Sequence, residues 1–114
     1  MSFLSPYSSD EPARADVDAM AGHTVLEFGA NWCGICQAAQ GAIGDAVEAQ
    51  AARGPLRHLR IEDGRGRPLG RSFGIKLWPT LVVLKDGREV ARVVRPGGVR
   101  EVADVLSRLD EPTA

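Results

Sequence analysis

Cysteine and histidine are both scarce in this sequence, and their scarcity narrows the chemistry open to the chain. The 114 residues include two cysteines, Cys33 and Cys36, and two histidines, His23 and His58. A structural zinc site needs four ligands and a catalytic one needs three plus water. One CxxC pair supplies only two ligands, and neither histidine has the spacing of a paired ligand. The sequence therefore predicts no metal site.

An excess of one charge and long apolar runs are also missing. The formal net charge of −1 creates no basic field that would attract nucleic acid. No apolar stretch approaches the ~18 residues that a membrane span requires. The opening MSFLSPYSSDEP lacks the basic and apolar regions of a secretion signal. If the chain is complete, we expect a cytoplasmic protein that binds neither nucleic acid nor membrane, in a compartment where thiols stay reduced.

The order of apolar patterns predicts one domain of alternating strands and helices. We expect a flexible segment at residues 1–9, a single domain at residues 10–110 and a tail at residues 111–114. The predicted elements of the domain are a helix to about residue 21, the strand HTVLEF, a helix over residues 33–52, the strand LRHLRIED, one helical turn near residues 69–73, the strands TLVVL and EVARVV, and a final helix with apolar residues from 99 to 109.

Two local signals fix the arrangement of the last elements. Asp86-Gly87 lies between two apolar runs, which predicts a hairpin of antiparallel strands. The final helix carries its apolar residues on one face, so it should pack on the sheet. The whole order predicts an α/β fold, in which a mixed central sheet with a C-terminal antiparallel hairpin carries helices on both faces.

The two cysteines lie where a predicted strand gives way to a helix, within LEFGANWCGICQAAQ. A structural disulfide closing so short a loop would restrain little chain entropy. A reactive dithiol fits this placement, because the unpaired N–H groups and the dipole at a helix start favour a thiolate. We therefore expect Cys33 to be the nucleophile and Cys36, one turn deeper on the same helical face, to resolve the mixed disulfide. Gly34 keeps the approach to Cys33 open.

Two motifs resemble those of the thioredoxin family. WCGIC is similar to the family's WCGPC, KLWPTLVVLKDG is similar to its segment around the cis-proline, and the order of elements fits from about residue 15 to residue 109. The resemblance implies a thioredoxin-like fold and a thiol–disulfide oxidoreductase that reduces protein disulfides. Cys33 and Cys36 would cycle between dithiol and disulfide, with no other cofactor.

The same resemblance implies the partners of the protein. These are disulfide-containing client proteins and a dithiol electron donor such as a thioredoxin reductase, and we expect the protein itself to be a monomer. Two alternative functions stay open. One is a thiol oxidase or isomerase, and the other is a binding module of the same fold in which redox turnover is incidental.

The resemblance assigns further roles to residues outside the CxxC motif. Glu27, six residues before Cys33, stands where the family carries a buried aspartate that accepts the proton of the resolving cysteine. A buried acid is costly unless it is paired or has a raised pKa, and the alternative is that Glu27 reaches solvent. Arg60 takes the place of the lysine that partners this acid, or is a solvated strand charge. Trp32 corresponds to the tryptophan that shields the dithiol, or is packed in the core.

Pro79 corresponds to the cis-proline of the family. A proline at the start of a strand cannot donate to the ladder, and only X–Pro bonds adopt cis at low cost. A cis bond would present the backbone of Trp78 to an extended client peptide. The predicted client-binding residues are Trp32, Gly34, Ile35, Trp78 and Pro79.

Four positions depart from the family pattern. Ile35 replaces the proline of CGPC, at a position that varies among members with different redox poise. Gly41 stands where many members have a helix-kinking proline, and Trp78 is bulkier than the usual aliphatic residue. Arg95 falls where a glycine often lets the client backbone approach, and after a small shift Gly97 or Gly98 could serve instead. These departures bear on the choice of client.

Overall fold

The computed structural model describes residues 4–112, so that residues 1–3 and 113–114, at the ends of the predicted terminal segments, lie outside it. Its strands are β1 (His23–Gly29), β2 (Arg57–Glu62), β3 (Thr80–Lys85) and β4 (Arg88–Val94). Its helices are α1 (Arg14–Asp18), α2 (Gly34–Ala51), α3 (Pro68–Ser72) and α4 (Val99–Leu106), and a 3-10 turn at Ser107–Asp110 continues α4.

The first helix is shorter than the sequence predicts. It begins at Arg14 rather than near residue 10, and Ala13 precedes it without a side-chain cap. Pro12 accounts for the absence of helix immediately before it, because it holds Glu11, the preceding residue, away from helical backbone angles. The other predicted elements are present close to their expected positions.

The four strands form one mixed sheet in the order β2-β1-β3-β4. β1 pairs with β2 in parallel and with β3 antiparallel, and β3 and β4 form the predicted hairpin. At its turn, Asp86 and Gly87 both adopt positive φ angles, 51° and 80°, as a tight two-residue hairpin turn requires. The hairpin expected from this pair is confirmed.

Apolar side chains cover both faces of the sheet, which confirms the predicted layering. On one face Val25 packs with residues of α2 and α4, including Ile43 and Leu106. On the other face Leu26 and Phe28 pack with residues of α1 and α3. β1 is therefore buried on both sides, and any polar residue it carries must find a partner inside the protein.

Two residues of the predicted flexible segment at residues 1–9, Tyr7 and Ser8, make contacts that the sequence does not predict. Ser8 forms a parallel bridge beside Ile61, through two 2.9 Å backbone hydrogen bonds to β2. Tyr7 is 6% exposed and packs against the cysteines. The bridge satisfies backbone groups at the edge of the sheet. A single paired residue leaves no periodic pattern, which is why the sequence gives no sign of it.

Candidate active site

The dithiol lies at the point where β1 leads into α2. Cys33 is the N-cap of α2 and has an extended backbone, while Cys36 lies in the first turn of that helix. The Cys36 backbone N–H donates to Cys33 Sγ over 3.2 Å. This N–H is one of the donors that a helix leaves unpaired at its start. The Cys33 sulfur therefore sits in the field of the helix N-terminus, as the sequence predicts.

The two thiols are free and have different surroundings. Cys36 is fully buried, whereas Cys33 is 8% exposed and so less open than its place at the helix start suggests. Burial, with a further contribution from neighbouring Cys33, raises the pKa of the Cys36 thiol to about 11. Cys36 is therefore protonated at neutral pH in the reduced protein.

Two tryptophans form a rim beside the cysteines. The rings of Trp32 and Trp78 meet edge to face with centroids 5.6 Å apart. Trp32 is 76% exposed, which rules out plain core packing. Trp78 packs against the cysteine cluster, and its Nε1 donates to Asp63 Oδ2 over 2.9 Å. Asp63 thus anchors the Trp78 ring, and no pattern in the sequence singles out this residue.

The Trp78–Pro79 peptide bond is cis in the structure, as the sequence predicts. Arg95 lies directly beside it. Its backbone N–H donates to the Pro79 carbonyl and its side-chain Nε donates to the Trp78 carbonyl, both over 2.8 Å. Arg95 has a φ of 49°, in the left-handed region that suits glycine best. The carbonyl expected to meet a client peptide therefore already accepts one hydrogen bond, with a second lone pair remaining.

Glu27 and Arg60 form a buried ion pair between the two central strands. They are direct neighbours in the parallel register of β1 and β2. Arg60 Nε donates to Glu27 Oε1 over 3.0 Å, and the Arg60 terminal nitrogen donates to Oε2 over 2.9 Å. His58 Nε2 also lies 2.9 Å from Oε1. Glu27 is fully buried and Arg60 is 8% exposed, so the solvent-exposed alternatives for both residues are wrong.

Two residues of this network were not predicted from the sequence. The Tyr7 hydroxyl donates to Glu27 Oε2 over 2.5 Å, and the Arg60 guanidinium stacks on the Tyr7 ring at 4.1 Å. Gln40 Oε1 accepts a hydrogen bond from Arg60, and Gln40 Nε2 donates to the Cys36 carbonyl over 2.8 Å. The spacing of four residues from Cys36 could have indicated Gln40. Nothing in the sequence around Tyr7 indicates its contact.

The pKa of Glu27 is set by competition between burial and its partners. Burial raises the pKa, but hydrogen bonds from His58 and Arg60 and the Arg60 charge outweigh it and bring the pKa down to about 2. A buried acid is tolerated if it is paired or if a raised pKa keeps it neutral, and Glu27 is therefore tolerated because it is paired. The carboxylate is ionised at neutral pH.

The ion pair makes stability depend on the charge of Glu27. We expect Glu27→Gln to lower the free energy of unfolding at pH 7 by about 3 kcal/mol, because it leaves the buried Arg60 charge uncompensated. The folded-state pKa of about 2 lies below the ordinary 4.5. The contribution of the carboxylate should therefore be complete above about pH 4.5 and fall as the pH approaches 2. Urea unfolding of both proteins at a series of pH values measures this.

The matched control removes both charges. The double variant Glu27→Gln, Arg60→Gln should recover part of the loss, because no unpaired charge then remains in the interior. A single variant as stable as the wild type at pH 7 would contradict the ion pair as described.

Comparison with known proteins agrees with the fold and the site. A family model described as thioredoxin matches residues 7–111. The reduced form of thioredoxin 2 from Pseudomonas aeruginosa PAO1 is 48% identical, with a TM-score of 0.82 over 94% of this chain and 96% of that one. A thioredoxin of Aspergillus fumigatus is 27% identical over 88% of this chain and 90% of its own length. A thioredoxin of Chlamydia muridarum is 37% identical over 65% of this chain and 70% of its own length. The chain belongs to the thioredoxin family and is a thiol–disulfide oxidoreductase.

Proposed function

We propose that the protein reduces disulfide bonds of client proteins, with Cys33 as the attacking thiolate and Cys36 as the resolving thiol. The observation that carries the proposal is the N-cap position of Cys33, whose sulfur accepts the Cys36 N–H. A donor aimed at this sulfur stabilises the negative charge of the nucleophile. Cys36 is buried and has a pKa of about 11, so it keeps its proton until Cys33 has reacted.

The proposed reaction has two exchange steps. The Cys33 thiolate attacks the client disulfide, and one client sulfur leaves with the electron pair of the broken bond. Cys36 then attacks Cys33 Sγ in the mixed disulfide, and the second client sulfur leaves. The client becomes a dithiol and the protein holds a Cys33–Cys36 disulfide. A dithiol donor such as a thioredoxin reductase restores the starting state, and no further cofactor takes part.

The apolar surface around the dithiol supports the proposal that extended peptides bind there. Trp32, Ile35 and Leu77 are large apolar side chains that stand 76%, 47% and 47% exposed. Such a patch is typical of a protein interaction site. A client strand beside Pro79 would pair with the main chain of Trp78, which tolerates many sequences. Gly34 is also exposed and adds no side chain that would block Cys33.

Glu27 and Arg60 are better suited to positioning than to proton transfer. The family resemblance implies that Glu27 accepts the Cys36 proton. A carboxyl group with a pKa of about 2 is a weak base, which argues against that role at neutral pH. We propose instead that the pair holds Tyr7 and Gln40 against Cys36, through the hydrogen bonds described above.

A reductase of this kind requires a reducing compartment, and we propose the cytoplasm. Within residues 4–112, none of the helices has the length and apolar character that crossing a membrane demands. We also propose that the protein works as a monomer.

Selective alkylation tests the assignment of the two thiols. In the reduced protein at pH 7, iodoacetamide should label Cys33 and leave Cys36 unlabelled, since Cys36 is buried and protonated. Tandem mass spectrometry distinguishes the two positions within one peptide. Equal labelling of both cysteines would contradict the assignment.

Disulfide reduction tests the activity itself. With dithiothreitol as electron source, the wild type should accelerate the reduction of a disulfide-bonded client protein, and Cys33→Ser should abolish the acceleration. Cys36→Ser should instead trap the client as a mixed disulfide, because attack is retained and resolution is lost. A wild type that binds the client without accelerating its reduction would favour the binding-module alternative.

The reduction potential tests the direction of the reaction. Gly34 and Ile35 bring no charge and no side-chain donor to the Cys33 sulfur, so the thiolate gains no extra support that would make the disulfide oxidising. We expect a potential below about −220 mV, measured by equilibration with glutathione. Ile35→His should raise it by about 30 mV or more by adding a donor, and Ile35→Val serves as the control. A wild-type value well above about −200 mV would favour the oxidase or isomerase alternative.

A further inference from the structure

We propose that the Tyr7 hydroxyl stabilises the Cys36 thiolate in the resolving step by moving its hydrogen bond from Glu27 to Cys36 Sγ. The inference rests on the proposed function, in which Cys36 is the resolving thiol. It adds to the reaction a residue that lies outside the CxxC motif and far from it in sequence.

The geometry brings the hydroxyl and the sulfur to one point above Gly29. A Cβ atom added to Gly29 would lie 2.7 Å from Tyr7 Oη and 2.9 Å from Cys36 Sγ. Because Gly29 has no side chain, the two groups share this space. The hydroxyl oxygen is at the same time 2.5 Å from Glu27 Oε2. The hydroxyl oxygen therefore lies close to both the carboxylate and the resolving sulfur.

A thiolate at Cys36 requires a hydrogen-bond donor because the site is buried. Tyr7, Glu27 and Cys36 are 6%, 0% and 0% exposed. A thiolate formed at Cys36 cannot be solvated by bulk water and is costly without a hydrogen-bond donor. A hydroxyl group is such a donor, and rotation about its C–O bond turns the hydrogen away from the carboxylate and toward the sulfur.

Glu27 can release this hydrogen bond without being left unpaired. Its two oxygens each accept a further hydrogen bond from Arg60, over 3.0 and 2.9 Å. The carboxylate thus stays ionised and paired while the hydroxyl turns to the sulfur. Because Glu27 keeps both hydrogen bonds from Arg60, it can lose the hydrogen bond from Tyr7 and remain paired.

Tyr7 itself keeps its proton throughout. Burial, followed by the charge of Glu27, raises the pKa of Tyr7 well above its ordinary value. The hydroxyl therefore serves as a donor and not as an acid. A hydrogen bond from Tyr7 to Cys36 acts to lower the pKa of that thiol, against the larger effect of burial.

The rest of the Tyr7 residue is held in place. The Arg60 guanidinium covers its ring at 4.1 Å. Its backbone N–H donates to Asn31 Oδ1 over 2.8 Å, and Asn31 Nδ2 donates back to its carbonyl over 3.2 Å. Asn31 belongs to the loop that carries Cys33, so the hydroxyl is positioned relative to the dithiol.

The step balances with Tyr7 unchanged at its end. Cys36 loses its proton, and its sulfur electron pair forms the bond to Cys33 Sγ. The bond between Cys33 Sγ and the client sulfur breaks, and its electron pair leaves with the client sulfur. The proton that Cys36 loses goes to the departing client thiolate, which becomes a thiol; an aromatic thiolate is too weak a base to take it, and the proton then goes to water. Once the Cys33–Cys36 disulfide has formed, the hydroxyl returns to Glu27.

Stopped-flow reaction with a symmetrical aromatic disulfide, whose thiolate is coloured, separates the two steps. Attack by Cys33 releases one coloured thiolate in a first phase, and resolution by Cys36 releases another in a second phase. Tyr7→Phe keeps the ring and removes only the hydroxyl. We expect a first phase like that of the wild type and a second phase roughly tenfold slower between pH 6 and 9, from the loss of one hydrogen bond to a charged atom.

Two further versions of the protein, the variant Val17→Ala and a fluorotyrosine-labelled form, serve as controls. Val17→Ala removes buried apolar volume away from the site, and both of its phases should match the wild type, which controls for lost stability. Tyr7 is the single tyrosine of the chain, so biosynthetic incorporation of fluorotyrosine alters this hydroxyl alone. The more acidic hydroxyl is a stronger donor and should speed the second phase. This measurement also serves if Tyr7→Phe does not fold.

The outcomes separate this inference from the function on which it rests. A second phase in Tyr7→Phe within twofold of the wild type, or equal slowing of both phases, would overturn the role of Tyr7 alone. For the fluorotyrosine protein, a second phase no faster than in the wild type would do the same. A second phase that is absent in the wild type, or persists in Cys36→Ser, would overturn the resolving role of Cys36 and this inference with it.

Discussion

The buried ion pair between Glu27 and Arg60 is the interaction on which the site depends. It joins the two central strands, and through Arg60 it reaches the ring of Tyr7 and the side chain of Gln40 on α2. Two charges inside a protein are tolerated only with close geometry and further hydrogen bonds, and here His58 and Tyr7 complete the set. Sheet, active-site helix and N-terminal segment are thereby fixed to one another beneath the dithiol.

One turn of helix separates the two thiols, to which the proposed function gives different tasks. Cys33 caps α2 and receives a backbone donor, while Cys36 is enclosed and has a pKa of about 11. The order of the exchange steps follows from this difference, because a thiol that stays protonated cannot compete for the client disulfide. Burial of Cys36 thus supports the proposed order, in which Cys33 attacks first and Cys36 then resolves the mixed disulfide.

The features that could be predicted from the sequence are those that depend on residues close together in the chain. The hairpin follows from Asp86-Gly87, and the dithiol at the start of α2 follows from the CxxC motif after an apolar strand. The contacts of Tyr7 and Asp63 could not be predicted in this way, because their partners are distant in the chain and no periodic pattern accompanies them. The direction of the Glu27 pKa shift also required the structure, because it is the outcome of burial against several partners.

Arg95 bears on how long a client peptide would stay bound. Its side chain donates to the Trp78 carbonyl, where the main chain of a docking peptide would pair. If a docking peptide displaces the Arg95 side chain instead of using the second lone pair of this carbonyl, it exchanges one hydrogen bond for another and gains little net free energy. Weak association of this kind shows mainly as fast dissociation. Under the proposed function, each reduced client must leave before the next cycle, and competition from Arg95 for this carbonyl would then favour turnover.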